Sequence, residues 1–249
     1  MAEQETIRTM VDEVRSELGE PIESFFTNVE IVSWLNYAVK LFARKTRILK
    51  TKVTYAWPAN TDSVSLTTVL PSVYHATLNA AGTQHDPKIS MADWNDASYG
   101  YHILKISKRE VLIDEPSRVV TSDKGNPVNF YYSPWEGSAT AAQGKEGVVG
   151  LMPTPSTAGT LSVYYSYEQA KMVLADVTAL DANMSRWWED ICAYAIYRGK
   201  LKDVDHFAPQ EAQESLGRFH GAINMCRGEI AVEDGPDIID FVTDYADPY

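Results

Sequence analysis

Two hydrophobic periods alternate along this chain. Apolar residues recur at spacings of three and four near the N-terminus, at two through the middle, and at three and four again near the C-terminus. Ile7, Met10, Val11, Val14 and Leu18 predict a first helix over Thr6–Leu18. Gly19 stands where a C-terminal cap belongs, and Pro21 prevents continuation. Thr27-Asn28-Val29-Glu30 is a capping-box pattern. It opens a second helix, from about Val29 to Leu49, with Ile31, Val32, Leu35, Ala38, Val39, Phe42 and Thr46 on one face. Trp34, Tyr37, Leu41 and Ile48 widen the apolar surface beyond one stripe. That helix is expected to be covered twice, by its own chain and by a neighbouring subunit.

From Thr51 the period drops to two: Val53, Tyr55 and Trp57 alternate with polar residues before Pro58. Ser63–Thr67, Tyr74–Ala80, Tyr101–Ile106, Glu110–Asp114, Val128–Tyr132, Val148–Met152 and Thr160–Tyr167 also read as short strands. Turn chemistry separates them, as in Asp123-Lys124-Gly125-Asn126-Pro127 and Pro153-Thr154-Pro155-Ser156. Ser138–Gly147, rich in Ala, Gly and Ser, is expected to be a mobile loop.

Helical spacing returns over Ser185–Val204 and over Pro209–Ile230, where Pro209 suits a first turn and Leu216, Phe219, Ile223, Cys226 and Ile230 mark a buried face. The expected fold class is α+β. An antiparallel helical bundle forms from both chain ends (1–50 with 180–232), an antiparallel β-sandwich or barrel is inserted at 51–170, and an extended acidic tail covers 233–249.

Composition narrows the function. Hydrophobic content of 45% and charged content of 22% are those of a globular protein with a proper core. A net charge of −12 disfavours general nucleic-acid binding, which neutralises phosphates with Lys and Arg. It is also the wrong sign for anionic lipid headgroups. The acidic N-terminus lacks the apolar core of a signal peptide, and no stretch reaches the ~18 apolar residues of a membrane span. Cytoplasmic synthesis and assembly are therefore expected. Cys192 and Cys226 both fall in predicted helices; buried thiols and an inter-helix disulfide are both open readings.

Candidate chemistry is sparse. His75, His85, His102, His206 and His220 are scattered without metal-ligand spacing, and no Gly-x-Ser-x-Gly, P-loop or dinucleotide fingerprint occurs. His85-Asp86 reads as a solvated loop, and Asp93 as a local cap in Ser90-Met91-Ala92-Asp93. No catalytic residue, metal or cofactor is expected, and the chain is not expected to be an enzyme. The aromatics of the β segment, among them Trp57, Trp94, Trp135, Tyr131-Tyr132 and Tyr164-Tyr165, fit a core with outward members covered by an interface, or a sugar-stacking platform.

The tail offers the sharpest candidate. Ile238, Ile239, Phe241, Val242 and Tyr245 are interleaved with Asp237, Asp240, Asp244 and Asp247 in a segment too short to bury them alone. Disordered tails are usually poor in Ile and Phe, so this one is expected to order on a basic, grooved partner. Trp34, Tyr37, Leu41 and Trp187 are the candidates for a subunit interface.

Several segments, in order, resemble the head-to-tail adaptor (connector) proteins of tailed bacteriophages. Val14-Arg15-Ser16-Glu17-Leu18-Gly19-Glu20 followed by Ile31-Val32-Ser33-Trp34-Leu35-Asn36-Tyr37-Ala38 resembles that family's opening helices. Leu70-Pro71-Ser72-Val73-Tyr74, Gly125-Asn126-Pro127-Val128-Asn129-Phe130-Tyr131, and Leu151-Met152-Pro153-Thr154-Pro155 with Leu161-Ser162-Val163-Tyr164-Tyr165 resemble its strand motifs. Trp188–Arg198 sits where the family has its Tyr-Ala-Leu-Tyr-Arg helix. The β region is longer than the leanest adaptors need, which leaves room for contact with a further tail or decoration protein. The resemblance implies a structural virion protein of the head-tail neck. Copies would form a homo-oligomeric ring, twelvefold by implication, between the portal protein ring and the tail tube or nozzle protein. The ring would line the DNA ejection channel, and viral DNA would pass without specific binding. The tail residues Ile238, Ile239, Phe241, Val242 and Tyr245 would then grip the portal. The alternative is a tail-associated carbohydrate- or receptor-binding protein that uses its β-domain tryptophans.

Overall fold

The computed structural model describes residues 6–20, 22–70, 88–96, 100–106, 124–133, 148–176, 179–202 and 209–234. The expected strands at Tyr74–Ala80 and Glu110–Asp114, the loop at Ser138–Gly147, Trp135, His85-Asp86 and the C-terminal tail beyond Asp234 lie outside those residues. The chain divides into two compact units, Met1–Leu49 with Glu168–Tyr249, and Lys50–Tyr167.

The first unit is helical: α1 (Ile7–Glu17), α2 (Asn28–Thr46), α4 (Trp188–Lys202) and α5 (Pro209–Asp234). Thr6 caps α1, its side chain accepting from the Thr9 N–H, and Gly19 follows the helix at φ +69°, a value glycine adopts without strain. The capping box of α2 is formed as the sequence predicts, Thr27 and Glu30 bonding reciprocally. That helix stops at Thr46, short of the expected Leu49, because Arg47 turns left-handed (φ 56°). A tight turn at Ser185–Trp187 precedes α4, and α5 runs four residues past the expected Ile230.

Directions follow from side-chain contacts. Tyr37 stacks on Tyr194 and Phe42 meets Trp187, so α2 runs antiparallel to α4. Cys192 Sγ reaches the Met10 carbonyl at 3.8 Å and Leu18 packs against Gly199, so α1 runs parallel to α4. Lys200 pairs with Glu211 and Arg186 with Glu229, which sets α5 antiparallel to α4. Ile191 through Ile196 of α4 are all buried, as expected of a helix covered on every side. Both cysteines are buried and neither forms a disulfide. One end of the unit carries the α1–α2 turn with the end of α4, and the other carries the ends of α2 and α5.

The second unit is a seven-stranded sheet in the order β1-β9-β3-β4-β6-β7-β2. Its strands are β1 (Lys50–Trp57), β2 (Ser63–Ser65), β3 (Lys88–Asn95), β4 (Gly100–Ile106), β6 (Asn129–Ser133), β7 (Val148–Met152) and β9 (Gly159–Ser166). A one-turn helix α3 (Leu66–Val69) follows β2, and β5 (Lys124–Gly125) pairs with β8 (Thr154–Pro155). The two edge strands, β1 and β2, are consecutive in the chain. The turn between them is pinned by Trp57 Nε1 donating to Thr61 O at 2.8 Å and by the Leu151 N–H donating to Asp62 O at 2.9 Å. The sheet therefore curls into a half-barrel around its own core.

Two features differ from the sequence reading. β4 and β6 pair in parallel, so the sheet is mixed; the long chain between Ile106 and Asn129 permits the return that parallel neighbours need. Asp93 is no cap but lies in β3, directly opposite His102 of β4. Ser90-Met91-Ala92-Asp93 mimics a turn locally, while the inward alternation of Ala92 and Trp94 decides for a strand.

Candidate functional site

The α1–α2 turn is built by buried charge. Arg15, 4% exposed at the end of α1, donates from Nη2 to Phe26 O and to Asn28 Oδ1, both at 2.8 Å. Its Nε reaches Asn28 Oδ1 at 3.1 Å, and Nη1 lies 3.6 Å from Glu20 Oε2. The Glu20 carboxylate accepts from the Ser24 hydroxyl and from the N–H groups of Phe25 and Phe26. Glu23 accepts from the backbone and side-chain nitrogens of Asn28, both at 2.9 Å. Lys202, at the end of α4, donates to Glu30 at 2.7 Å and sits over the Phe25 ring.

The Ser24 hydroxyl above all, with the Phe25 and Phe26 N–H groups and Arg15, holds the Glu20 carboxyl below its ordinary value of 4.5 against the opposing effect of partial burial. A depressed folded value means the bonded carboxylate contributes its stability fully above the ordinary value. That contribution is lost as pH falls through the folded one. Urea midpoints are therefore expected to hold steady from neutral pH to near 4.5 and to fall below it, with Glu20→Gln flattening the acid limb.

The polar groups just named are spent on folding this turn; Phe26 is buried with them, while Ile22 and Phe25 of the turn and Val29 just after it face out. Ile22 is 78% exposed, Phe25 52%, Val29 80% and Tyr37 52%. Val29, Ser33 and Tyr37 follow each other at helical spacing of four, so the strip continues from the turn along the outer face of α2. Sequence reasoning picked out Tyr37 but missed Ile22, Phe25 and Val29. Their signal was available: apolar residues just before and just after an N-cap.

The other interface candidates divide. Trp34 is half-buried, edge-on to Phe26 at 6.1 Å, and Leu41 is half-buried. Trp187 is 7% exposed and packed against Phe42 within the protomer. The portal candidates Ile238, Ile239, Phe241, Val242 and Tyr245 lie outside the described residues.

On the β unit, Trp57 and Trp94 are each 1% exposed, and Phe130 and Tyr165 are buried with them. The tryptophans that a sugar-stacking platform would expose are core, except Trp135, which is not described. The outer face carries His102 Nδ1 at 3.0 Å from Asp93 Oδ1, and the Lys52 ammonium beside the Tyr164 ring. Such a solvated cross-strand pair is ordinary sheet stabilisation. Among the described residues no group of three His, Cys, Asp or Glu side chains could hold a metal ion, and no helix is long and apolar enough to cross a membrane.

Comparison with known proteins gives one positive result. The family model described as SU10 adaptor protein matches residues 5–239, which spans both chain ends and the whole β unit. No curated protein matches. With nearly the full chain matched and a β unit inserted between helices contributed from either end, the chain belongs to the SU10 adaptor protein family and is a structural, head-to-tail adaptor protein of a bacteriophage.

Proposed function

We propose that copies of this chain close into a ring, twelvefold as the family resemblance implies, between the portal ring and the tail tube or nozzle protein in the virion neck. The observation that carries this reading is the family match over residues 5–239. Trp34, Tyr37 and Leu41 supply lateral contacts between copies, extended by the exposed strip of Ile22, Phe25 and Val29. Trp187 serves that interface indirectly, by bracing Phe42 beneath α2. The helices surround the DNA channel. A net charge of −12 favours a wall that repels phosphates and lets duplex DNA slide without sticking.

The tail is the portal anchor: Ile238, Ile239, Phe241, Val242 and Tyr245 order in a groove of the portal, with the interleaved aspartates on its basic rim. Mass by light scattering, alone and with purified portal rings, tests the assignment. The expected result is a stoichiometric ring of this chain on each portal. Deleting residues after Glu233 should abolish that association while leaving the circular dichroism spectrum and the thermal midpoint unchanged. Full-affinity binding by the truncated chain would refute the anchor, and no binding by the intact chain would refute the ring.

A further inference from the structure

Two faces of the helical unit, on different helices, fit each other. On α2, Val29, Ser33 and Tyr37 share an arc of about 80° on the side opposite the buried Ile31, Leu35 and Phe42. All three are exposed, and Phe25 extends their line past the start of the helix. The row carries bulk and no charge, in a chain whose residues are 22% charged.

On α5, Gly217, Gly221, Asn224 and Gly228 share an arc of about 60°, opposite the buried Phe219, Ile223 and Cys226. They too are exposed and uncharged. A Cβ added at any of these three glycines meets nothing within 4 Å, so packing within the unit does not require glycine there. Glycine is the poorest helix former after proline. Three in one outward line lay the α5 backbone open to a second helix at close range.

The spacings match. Phe25, Val29, Ser33 and Tyr37 recur at intervals of four residues, and the α5 row at four, three and four. Val29 and Tyr37 stand about 12 Å apart along the axis, Gly221 and Gly228 about 11 Å. Symmetry supplies the direction. A closed ring joins two different patches, one on each neighbour, and twelve copies turn by about 30° from each to the next. So small a turn leaves α5 of the next copy nearly aligned with α5 of the first. Since α2 and α5 both run antiparallel to α4, α2 meets the neighbouring α5 in parallel.

We propose that α2 of one copy packs along α5 of the next, the large side chains of the first seated on the glycines of the second. Phe25 faces Gly217, Val29 faces Gly221 and Tyr37 faces Gly228, with Ser33 beside Asn224. The assignment rests on the ring reading and names the surface that receives the exposed strip. One contact accounts for both rows, neither of which is covered within the helical unit.

The test uses the full chain with Val29→Cys and Gly221→Cys together, oxidised in the assembly whose mass light scattering reads. The expected product on a non-reducing gel is a ladder of dimers, trimers and higher species, because each copy offers one thiol to either neighbour. Val29→Cys paired with Gly228→Cys, about 11 Å out of register, should give none. Each single variant should stay monomeric on the gel. A ring of normal mass without the ladder would overturn this contact and leave the ring standing. No ring in any mixture would overturn both. A second variant reads size. Gly221→Leu should keep the circular dichroism spectrum and the thermal midpoint, since a side chain there points into open space, yet weaken assembly at least tenfold. Val29→Ala in the same chain should recover part of that loss. Assembly undiminished by Gly221→Leu, or dimers from Val29→Cys alone, would equally overturn the proposal.

Discussion

Replacing Arg15 by alanine is expected to destabilise the helical unit by about 3–4 kcal/mol. The guanidinium is the hub on which the α1–α2 turn folds, joining Phe26 O, Asn28 Oδ1 and the Glu20 carboxylate. Its removal strands at least one buried acceptor, each such loss costing about 1–3 kcal/mol. It also leaves Glu20 without its cation. Arg15→Lys should recover only a minor part, because one ammonium cannot reproduce a planar fork that reaches three groups. In urea the midpoint should move by about 1–2 M for a unit of this size. Hydrogen exchange should speed most in peptides covering residues 16–30. A shift below ~0.3 M would show that the turn is held instead by Phe26 against Trp34 and by the Lys202 ammonium over the Phe25 and Phe26 rings.

Gly159→Ala is expected to cost the β unit about 3 kcal/mol, the upper end for overpacking. A methyl at this position would lie 2.3 Å from Trp94 Cζ2 and 2.6 Å from Cη2. The indole has nowhere to go: it is 1% exposed, within the core that holds Trp57, Leu161 and Ile103. Relief must come from the ring. Trp94→Leu alone should cost about 2–3 kcal/mol through the cavity it opens. The double variant should then cost 1–2 kcal/mol less than the sum, roughly, because the methyl fills part of that cavity. Chemical denaturation of the four proteins closes the cycle. Strict additivity would mean that the strand shifts and the ring does not.

Much of this architecture is legible along the chain because it is local. Thr27 and Glu30 form their capping box, Gly19 ends α1, and the alternation of Leu161, Val163 and Tyr165 against Thr160, Ser162 and Tyr164 places β9. These signals depend on neighbours within four residues, and such patterns survive folding. The adaptor motifs are legible for the same reason: each is a short run tied to one element end.

Pairing partners were not legible. Nothing in the sequence of β4 or β6 says that they run in parallel, because that depends on where a long connection returns the chain. β3 was missed because Ser90 and Asp93 have cap chemistry, and only the core on one side of Ala92 and Trp94 overrides it. The strip of Ile22, Phe25 and Val29 was hidden for a related reason. Hydrophobicity marks a residue for burial without saying against what, and here Arg15, Glu20 and Phe26 take the interior of the turn and leave Ile22, Phe25 and Val29 outside. The helical ends, the strand-rich middle, the acidic tail and the family can all be read from the linear chain. Which apolar residues lie inside emerges only in the folded chain, because burial is a competition among distant segments for one interior.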